Sequence, residues 1–194
     1  MVAKHNNGMV ATLEIARIDI NKGGEWHTFD TETELEIEPE IEEEEGKALI
    51  VKGTLVAQKL GSNILKYNQL TVTDKTLQPE LIKAVQGGTV EYTTKGTFKR
   101  YIPPKASEAL TQDAFKMYVY SNIYNSGGTV TGYQCIKFGN CKGDPVTFTL
   151  SDEDFSEFEY VIKASADDAG YPYEIIHCKT LPDGAEPTPV TDPV

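Results

Sequence analysis

Apolar and polar residues alternate with a period of two through most of this chain, and this pattern constrains the fold most strongly. Leu35 and Ile37 alternate with glutamates, while Phe115, Met117 and Val119 alternate with lysine and tyrosine. Successive side chains of a strand point to opposite faces, so these segments are predicted to be strands with one buried face. The chain is therefore expected to be mainly β and antiparallel.

The strand pattern also suggests which segments pair. We expect residues 48–58 to form one long strand and residues 64–72 to pair with it across the turn Gly61-Ser62-Asn63. Further strands are predicted at residues 13–20, 31–37, 89–94, 115–123, 129–138, 146–150, 158–164 and 174–179.

One segment predicts a helix. Thr76 can serve as its N-cap, Pro79 and Glu80 suit the first turn, and Gly87-Gly88 would end it. An apolar stripe follows the helical period: Leu77, Leu81, Ile82 and Val85. With 194 residues, we expect one domain at 1–181 and a Pro-rich C-terminal arm at 182–194.

Charge and cysteine content exclude several classes of protein. The 30 acidic and 18 basic residues give a net charge of −12, which argues against general nucleic-acid binding and a polybasic membrane surface. We expect no membrane span and no signal peptide, because no apolar stretch is long enough and the first residues lack an apolar core. Cys135, Cys141 and Cys178 show no paired spacing, so they are expected to be free thiols.

Catalytic motifs are missing from the sequence. His5, His27 and His177 do not have metal-ligand spacing, and no nucleotide-binding or nucleophile-elbow motif occurs. A carboxylate pair for glycoside hydrolysis needs a buried acid, whereas the acidic runs here look solvated. These residues identify no catalytic residue, metal or cofactor.

The densest local feature is an acidic run ending in four consecutive glutamates. Its members are Glu38, Glu40, Glu42, Glu43, Glu44 and Glu45. The run can be a solvated loop, a calcium site lacking the order of an EF-hand loop, or a surface that faces a polyanion without holding it.

Aromatic residues allow two interpretations. A carbohydrate-binding platform or ordinary core and cross-strand packing would both use such residues. The residues concerned are Trp26, Tyr101, Tyr118, Tyr120, Tyr124 and Tyr133.

Several stretches, taken in order, resemble the major tail tube proteins of long, flexible, non-contractile phage tails. The stretches are Tyr67 to Asp74, Leu77 to Ile82, Gln86-Gly87-Gly88, Tyr133 to Phe138, Gly139 to Gly143, Val146 to Leu150, Asp152 to Phe155, Tyr171-Pro172 and Leu181-Pro182. They span roughly residues 63 to 182, and the N-terminal quarter with its acidic run departs from the pattern.

The resemblance implies an antiparallel β-sandwich or half-barrel with one flanking helix that forms rings, in a structural protein that is not an enzyme. Six copies would close a ring, and stacked rings would form the tail tube of a virion assembled in the host cytoplasm. The implied partners are further copies, the tape-measure protein, and the tail terminator and distal tail proteins. DNA would pass through the lumen without specific binding, and no membrane would be involved.

In such a tube, residues 38–47 are expected to form an extended loop that reaches a neighbouring subunit or ring. Glu32, Glu34 and Glu36 would project from one strand face toward the lumen. Two alternatives stay open: a monomeric β-sandwich that binds carbohydrate or protein like an adhesin, and the tube subunit of a contractile injection system.

Overall fold

The structure, a computed structural model, describes residues 12–43, 45–51, 54–59, 61–107, 113–150, 152 and 155–190. Within these residues the chain forms thirteen strands and one helix. In order they are β1 (Thr12–Lys22), β2 (Glu25–Phe29), β3 (Glu32–Glu43), β4 (Lys47–Val51), β5 (Thr54–Lys59), β6 (Asn63–Asp74), α1 (Pro79–Gln86), β7 (Thr89–Tyr92), β8 (Phe98–Ile102), β9 (Phe115–Tyr124), β10 (Val130–Gly143), β11 (Thr147–Thr149), β12 (Glu157–Ser165) and β13 (Glu174–Cys178).

Nine of these strands form one antiparallel sheet. Its path is β2-β1-β9-β10-β12-β6-β3, with β11 paired to β12 and β13 paired to β10. Two separate hairpins, β4–β5 and β7–β8, complete the strands of the described chain. The predicted mainly β, antiparallel fold with one helix is confirmed. The sheet does not close, because β2 and β3 each pair with a single neighbour in the described residues.

The main core lies on one face of the sheet, under α1. Alternate residues of β1, β9 and β12 point into it, including Ile20, Met117 and Ile162, which are fully buried. Leu81 and Val85 of α1 pack against the same cluster. Burial of this apolar face is the main force that holds the helix on the sheet.

The helix lies where the sequence predicts it, but its first residue differs. Gln78 is the N-cap, because Thr76 lies in the preceding turn and donates its backbone N–H to Asp74 Oδ1. Gly87 ends the helix with φ of +81°, a conformation that glycine adopts readily. The prediction of Thr76 as N-cap is therefore wrong, and the predicted C-terminal end is confirmed.

A second, smaller core lies on the opposite face of the sheet. Tyr118 and Tyr120 of β9 and Cys135 of β10 are fully buried there, and Trp26 packs against them. The part of the predicted arm that the structure describes, residues 182–190, crosses this face and is called here the C-terminal strap. The strap is pinned by a backbone hydrogen bond from Val190 N–H to the His177 carbonyl oxygen.

Strand pairing near the acidic run differs from the sequence-based prediction. Residues 48–58 are divided between β4 and β5, which pair with each other, and Val51 and Thr54 are register partners. Apolar and β-branched residues occur in both strands, which explains why the sequence pattern suggested one strand. The predicted partner, β6, pairs instead with β3 and β12.

Candidate functional site

The acidic run belongs largely to a strand and is not the loop that we predicted. Residues Glu38–Glu43 lie in β3 and pair with β6, while Glu44 lies outside the described residues and Glu45 is exposed. Ile37, Pro39 and Ile41 continue the alternation of Leu35, so the period of two extends the strand through the glutamates. Exposure of the glutamates limits their mutual repulsion, since solvent screens the charges.

This part of the sheet forms a two-stranded projection, called here the acidic ribbon: Glu38–Glu43 of β3 with Asn63–Gln69 of β6. In its outer part, Glu40 is paired with Tyr67 and Glu43 with Asn63. Glu40–Glu43 and Asn63–Lys66 are all exposed, so other parts of the described chain do not cover this end. The ribbon presents four glutamates and an unpaired strand edge.

The three glutamates predicted to share one strand face do not do so. Glu34 and Glu36 are exposed, as expected for outward-pointing side chains. Glu32 is half-buried, and both of its carboxylate oxygens are inaccessible to solvent. The reason is a register shift between Glu32 and Glu34, because one extra residue in a strand turns the side chains before it to the other face.

The environment of Glu32 favours its neutral form. Burial is the largest cause. A hydrogen bond from the Glu32 backbone opposes it, and the nearby carboxylates of Asp74, Asp30 and Asp19 add to it, so the pKa rises from 4.5 to about 7. Asp74, the register partner of Glu32, is fully buried and accepts hydrogen bonds from the Thr31 hydroxyl and the Thr76 backbone. Two carboxyl groups thus lie side by side at the end of the β3–β6 pair that is opposite to the acidic ribbon.

We expect Glu32→Gln to remove a pH-dependent loss of stability. Because the pKa of Glu32 is higher in the folded chain, its contribution to stability is retained below pH 4.5 and lost as the pH rises through about 7. After allowance for partial solvent screening, the variant should gain about 1–2 kcal/mol over the native chain at pH 8. Urea unfolding at pH 5 and pH 8 measures this difference, and the exposed variant Glu34→Gln is the control. An equal pH dependence in all three chains would contradict the assignment.

An apolar groove near the ribbon is lined mainly by residues of β3, β6, β10 and β13. Its volume is about 380 Å³. It is lined by Ile37, Pro39, Leu65, Asn68, Ile136, Phe138, Tyr173 and Ile175. Phe138 belongs to the main core, whereas Ile175 is 58% exposed, so the groove is an uncovered extension of that core.

The six aromatic residues considered for a sugar platform do not form an exposed surface. Tyr118 and Tyr120 are fully buried, and Trp26 stacks against Tyr118 with ring centroids 5.1 Å apart. Tyr101 donates its hydroxyl to the Gly87 carbonyl oxygen beside α1. Tyr124 and Tyr133 are partly buried. The interpretation as core and cross-strand packing is the one that the structure supports.

The C-terminal strap contains an electrostatic contact that the sequence analysis missed. The Glu186 carboxylate lies 2.8 Å from Lys116 Nζ and 3.0 Å from Lys137 Nζ, and it accepts a hydrogen bond from the Tyr118 hydroxyl. Hydrogen bonds from the two lysines lower the pKa of Glu186 to about 2. No local pattern links residue 186 to residues 116 and 137, because the contact exists only after β9 and β10 have paired.

We expect Glu186→Gln to weaken the strap at neutral pH and to have little effect at pH 2. A carboxyl group whose pKa is lowered on folding adds stability above its unfolded pKa, and this stability is lost as the pH falls through the folded value. Because Glu186 and Lys116 are each nearly half exposed, solvent screens the contact, and the loss at pH 7 should not exceed about 1 kcal/mol. Hydrogen exchange of the Val190 amide measures strap opening. Unchanged exchange at pH 7 would contradict the contact, and Glu157→Gln is a matched control.

The remaining side chains that could react or bind a metal are buried or lie far apart. Cys135, Cys141 and Cys178 are free and buried, and burial raises the pKa of Cys135 and Cys141 to about 12. Among the described residues, no three His, Cys, Asp or Glu side chains are placed to hold a metal ion. Within the same part of the chain, no helix has the length and apolar character required to cross a bilayer.

Comparisons with known proteins do not assign a function to the acidic ribbon or the groove. The chain matches none of the protein-family models against which it was scanned, and a search of curated proteins finds no significant match.

Proposed function

We propose that this chain is a structural subunit that assembles into stacked hexameric rings and forms the tail tube of a long, non-contractile phage tail. The observation that carries the proposal is the open antiparallel sheet, whose edge strands β2 and β3 each pair on one side only within the described residues. Unpaired edges attract further strands, and a heterologous contact between β2 of one copy and β3 of the next can close into a ring by rotation.

The β4–β5 hairpin supports the same proposal. It follows the acidic ribbon in the chain and forms a separate two-stranded sheet. An isolated hairpin is marginally stable in water, and Ile50 is 63% exposed in this one. A neighbouring copy would supply the missing packing surface, so the ribbon and hairpin together serve as an arm between subunits.

The charge of the chain suits a conduit for DNA. With a net charge of −12, the wall of a tube would repel phosphate groups and let DNA pass without being held. The exposed Glu34 and Glu36 are our choice for the lumen surface, and the half-buried Glu32 is no longer part of it. The tape-measure protein would occupy the lumen before DNA, and terminator and distal tail proteins would close the two ends of the tube.

Electron microscopy of the purified full-length chain across a concentration series tests the proposal. We expect rings or tubes of uniform diameter, and a filter-binding assay should show no retention of duplex DNA at physiological salt. Particles that stay monomeric at all concentrations, alone and with the other tail proteins, would refute it.

A further inference from the structure

Charge is distributed unevenly between two projecting elements of this acidic chain. Residues 32–45 contain nine glutamates and no lysine or arginine. Residues 89–105, which include the β7–β8 hairpin, contain Glu91 as their one acidic residue and four cations: Lys95, Lys99, Arg100 and Lys105. The hairpin is therefore a basic surface on a chain whose net charge is strongly negative.

The cations of the hairpin are exposed. The side chains of Lys99 and Arg100 are each 57% exposed, and both contact Glu91. Lys95 is exposed in the turn, which a hydrogen bond from Thr93 N–H to the Thr97 carbonyl oxygen closes. Because Glu91 is the one carboxylate within residues 89–105, the hairpin segment has an excess of positive charge.

The basic hairpin and the tip of the acidic ribbon point to different ends of the molecule. Tyr92 donates its hydroxyl to Glu80 in the first turn of α1 at 2.7 Å. Gln78, the N-cap of that helix, bonds to Thr31, next to the first residue of β3. The ribbon tip at Glu43 lies eleven residues along β3, or about 35 Å away at the rise of an extended strand.

Both elements also expose apolar side chains beside their charges. On the hairpin, Tyr92 and Phe98 form an edge-to-face ring pair and are 44% and 38% exposed. On the ribbon, Ile41 and Ile64 are 47% and 57% exposed. Each element thus has apolar side chains surrounded by charges, and the charges of the two elements have opposite sign. Protein interfaces have this composition, with an apolar centre and a polar rim.

We infer that the acidic ribbon of one copy docks on the β7–β8 hairpin of the next copy. The two surfaces differ and lie at separate ends of the chain, so the contact is heterologous and repeats in one direction. The inference rests on the proposed function and deepens it by adding a second contact between copies, beside the pairing of β2 with β3. It also requires self-association to be strongest at low ionic strength, because exposed charge pairs are screened by salt.

Charge reversal on each side, and then on both sides together, tests the contact. One variant carries Glu40→Lys and Glu43→Lys, another carries Lys95→Glu and Lys99→Glu, and a third combines all four changes. Matched controls away from both elements are the exposed pairs Glu157→Lys with Glu159→Lys and Lys142→Glu with Lys179→Glu. The full-length chains are compared by sedimentation velocity at low and high salt.

Each one-sided variant should raise the concentration required for self-association at least tenfold, because like charges would then face each other. The combined variant should return to within about threefold of the native chain, since the charges are only exchanged. Restoration also excludes misfolding as the cause of the one-sided losses. One-sided variants that associate like the native chain, or a combined variant as impaired as they are, would overturn the inference, as would a native chain that stays monomeric at low salt.

The same series distinguishes this inference from the proposed function. Charge-dependent oligomers that never form tubes would support the contact and refute the tail tube. Tubes that form normally from all variants would support the tail tube and refute the contact.

Discussion

Replacing residues 44–62 by Asn-Gly should give a folded chain that no longer polymerises. Glu43 and Asn63 are register partners, so a two-residue type I′ turn can join β3 directly to β6 without disturbing their pairing. The change removes the β4–β5 hairpin, which forms a sheet separate from the nine-stranded one. Stability of the monomer should therefore change by less than about 1 kcal/mol, as is usual for changes at the surface.

Circular dichroism and urea unfolding measure the fold of this shortened chain, and electron microscopy measures its assembly. A milder variant, Ile50→Asp, keeps the hairpin and places a charge on its exposed apolar residue. It should weaken assembly without abolishing it. Normal tubes from the shortened chain would show that the β4–β5 hairpin is dispensable for assembly.

Gly143→Ala should destabilise the monomer by about 2–3 kcal/mol, the upper range for overpacking of a core. A Cβ atom at this position would overlap the Val85 side chain and the Val85 backbone carbonyl group of α1. Neither residue can move away easily, because Val85 is fully buried and Gly143 is paired with Ile162 of β12. The steric conflict falls on the contact that holds the helix against the sheet.

Urea unfolding measures this effect, with Gly127→Ala in the exposed turn between β9 and β10 as the control. An added Cβ at Gly127 meets only the Asn125 side chain, at 3.3 Å, so its cost should stay below about 1 kcal/mol. Equal stability of the two variants would contradict the described packing of α1 on β10.

The sequence predicts the strands and the helix well, because each depends on a local period. The alternation around Met117 and the stripe that includes Val85 both continue into the structure as buried faces. Pairing is predicted less well. β6 pairs with β3 and β12 and not with the segment that precedes it in the chain. The sequence did not show this, because nothing local distinguishes one alternating segment from another as a partner.

The candidate site could likewise be predicted only where it depends on local sequence patterns. The exposed glutamates of the ribbon could be identified from their density, but their secondary structure could not, because like charges in sequence usually indicate a loop. The inward turn of Glu32 depends on a register shift with β6, and the Glu186 contact depends on β9 and β10. Both require long-range pairing that local patterns do not contain.

The two cores place the three thiols in different positions relative to the C-terminal strap. Cys135 and Cys178 belong to the core that the strap crosses, whereas Cys141 belongs to the core under α1. Buried thiols with a raised pKa carry almost no thiolate at neutral pH, so each reacts with an alkylating reagent only after its own surroundings open. Alkylation kinetics of the native chain can thus separate release of the strap from global unfolding, without an introduced label.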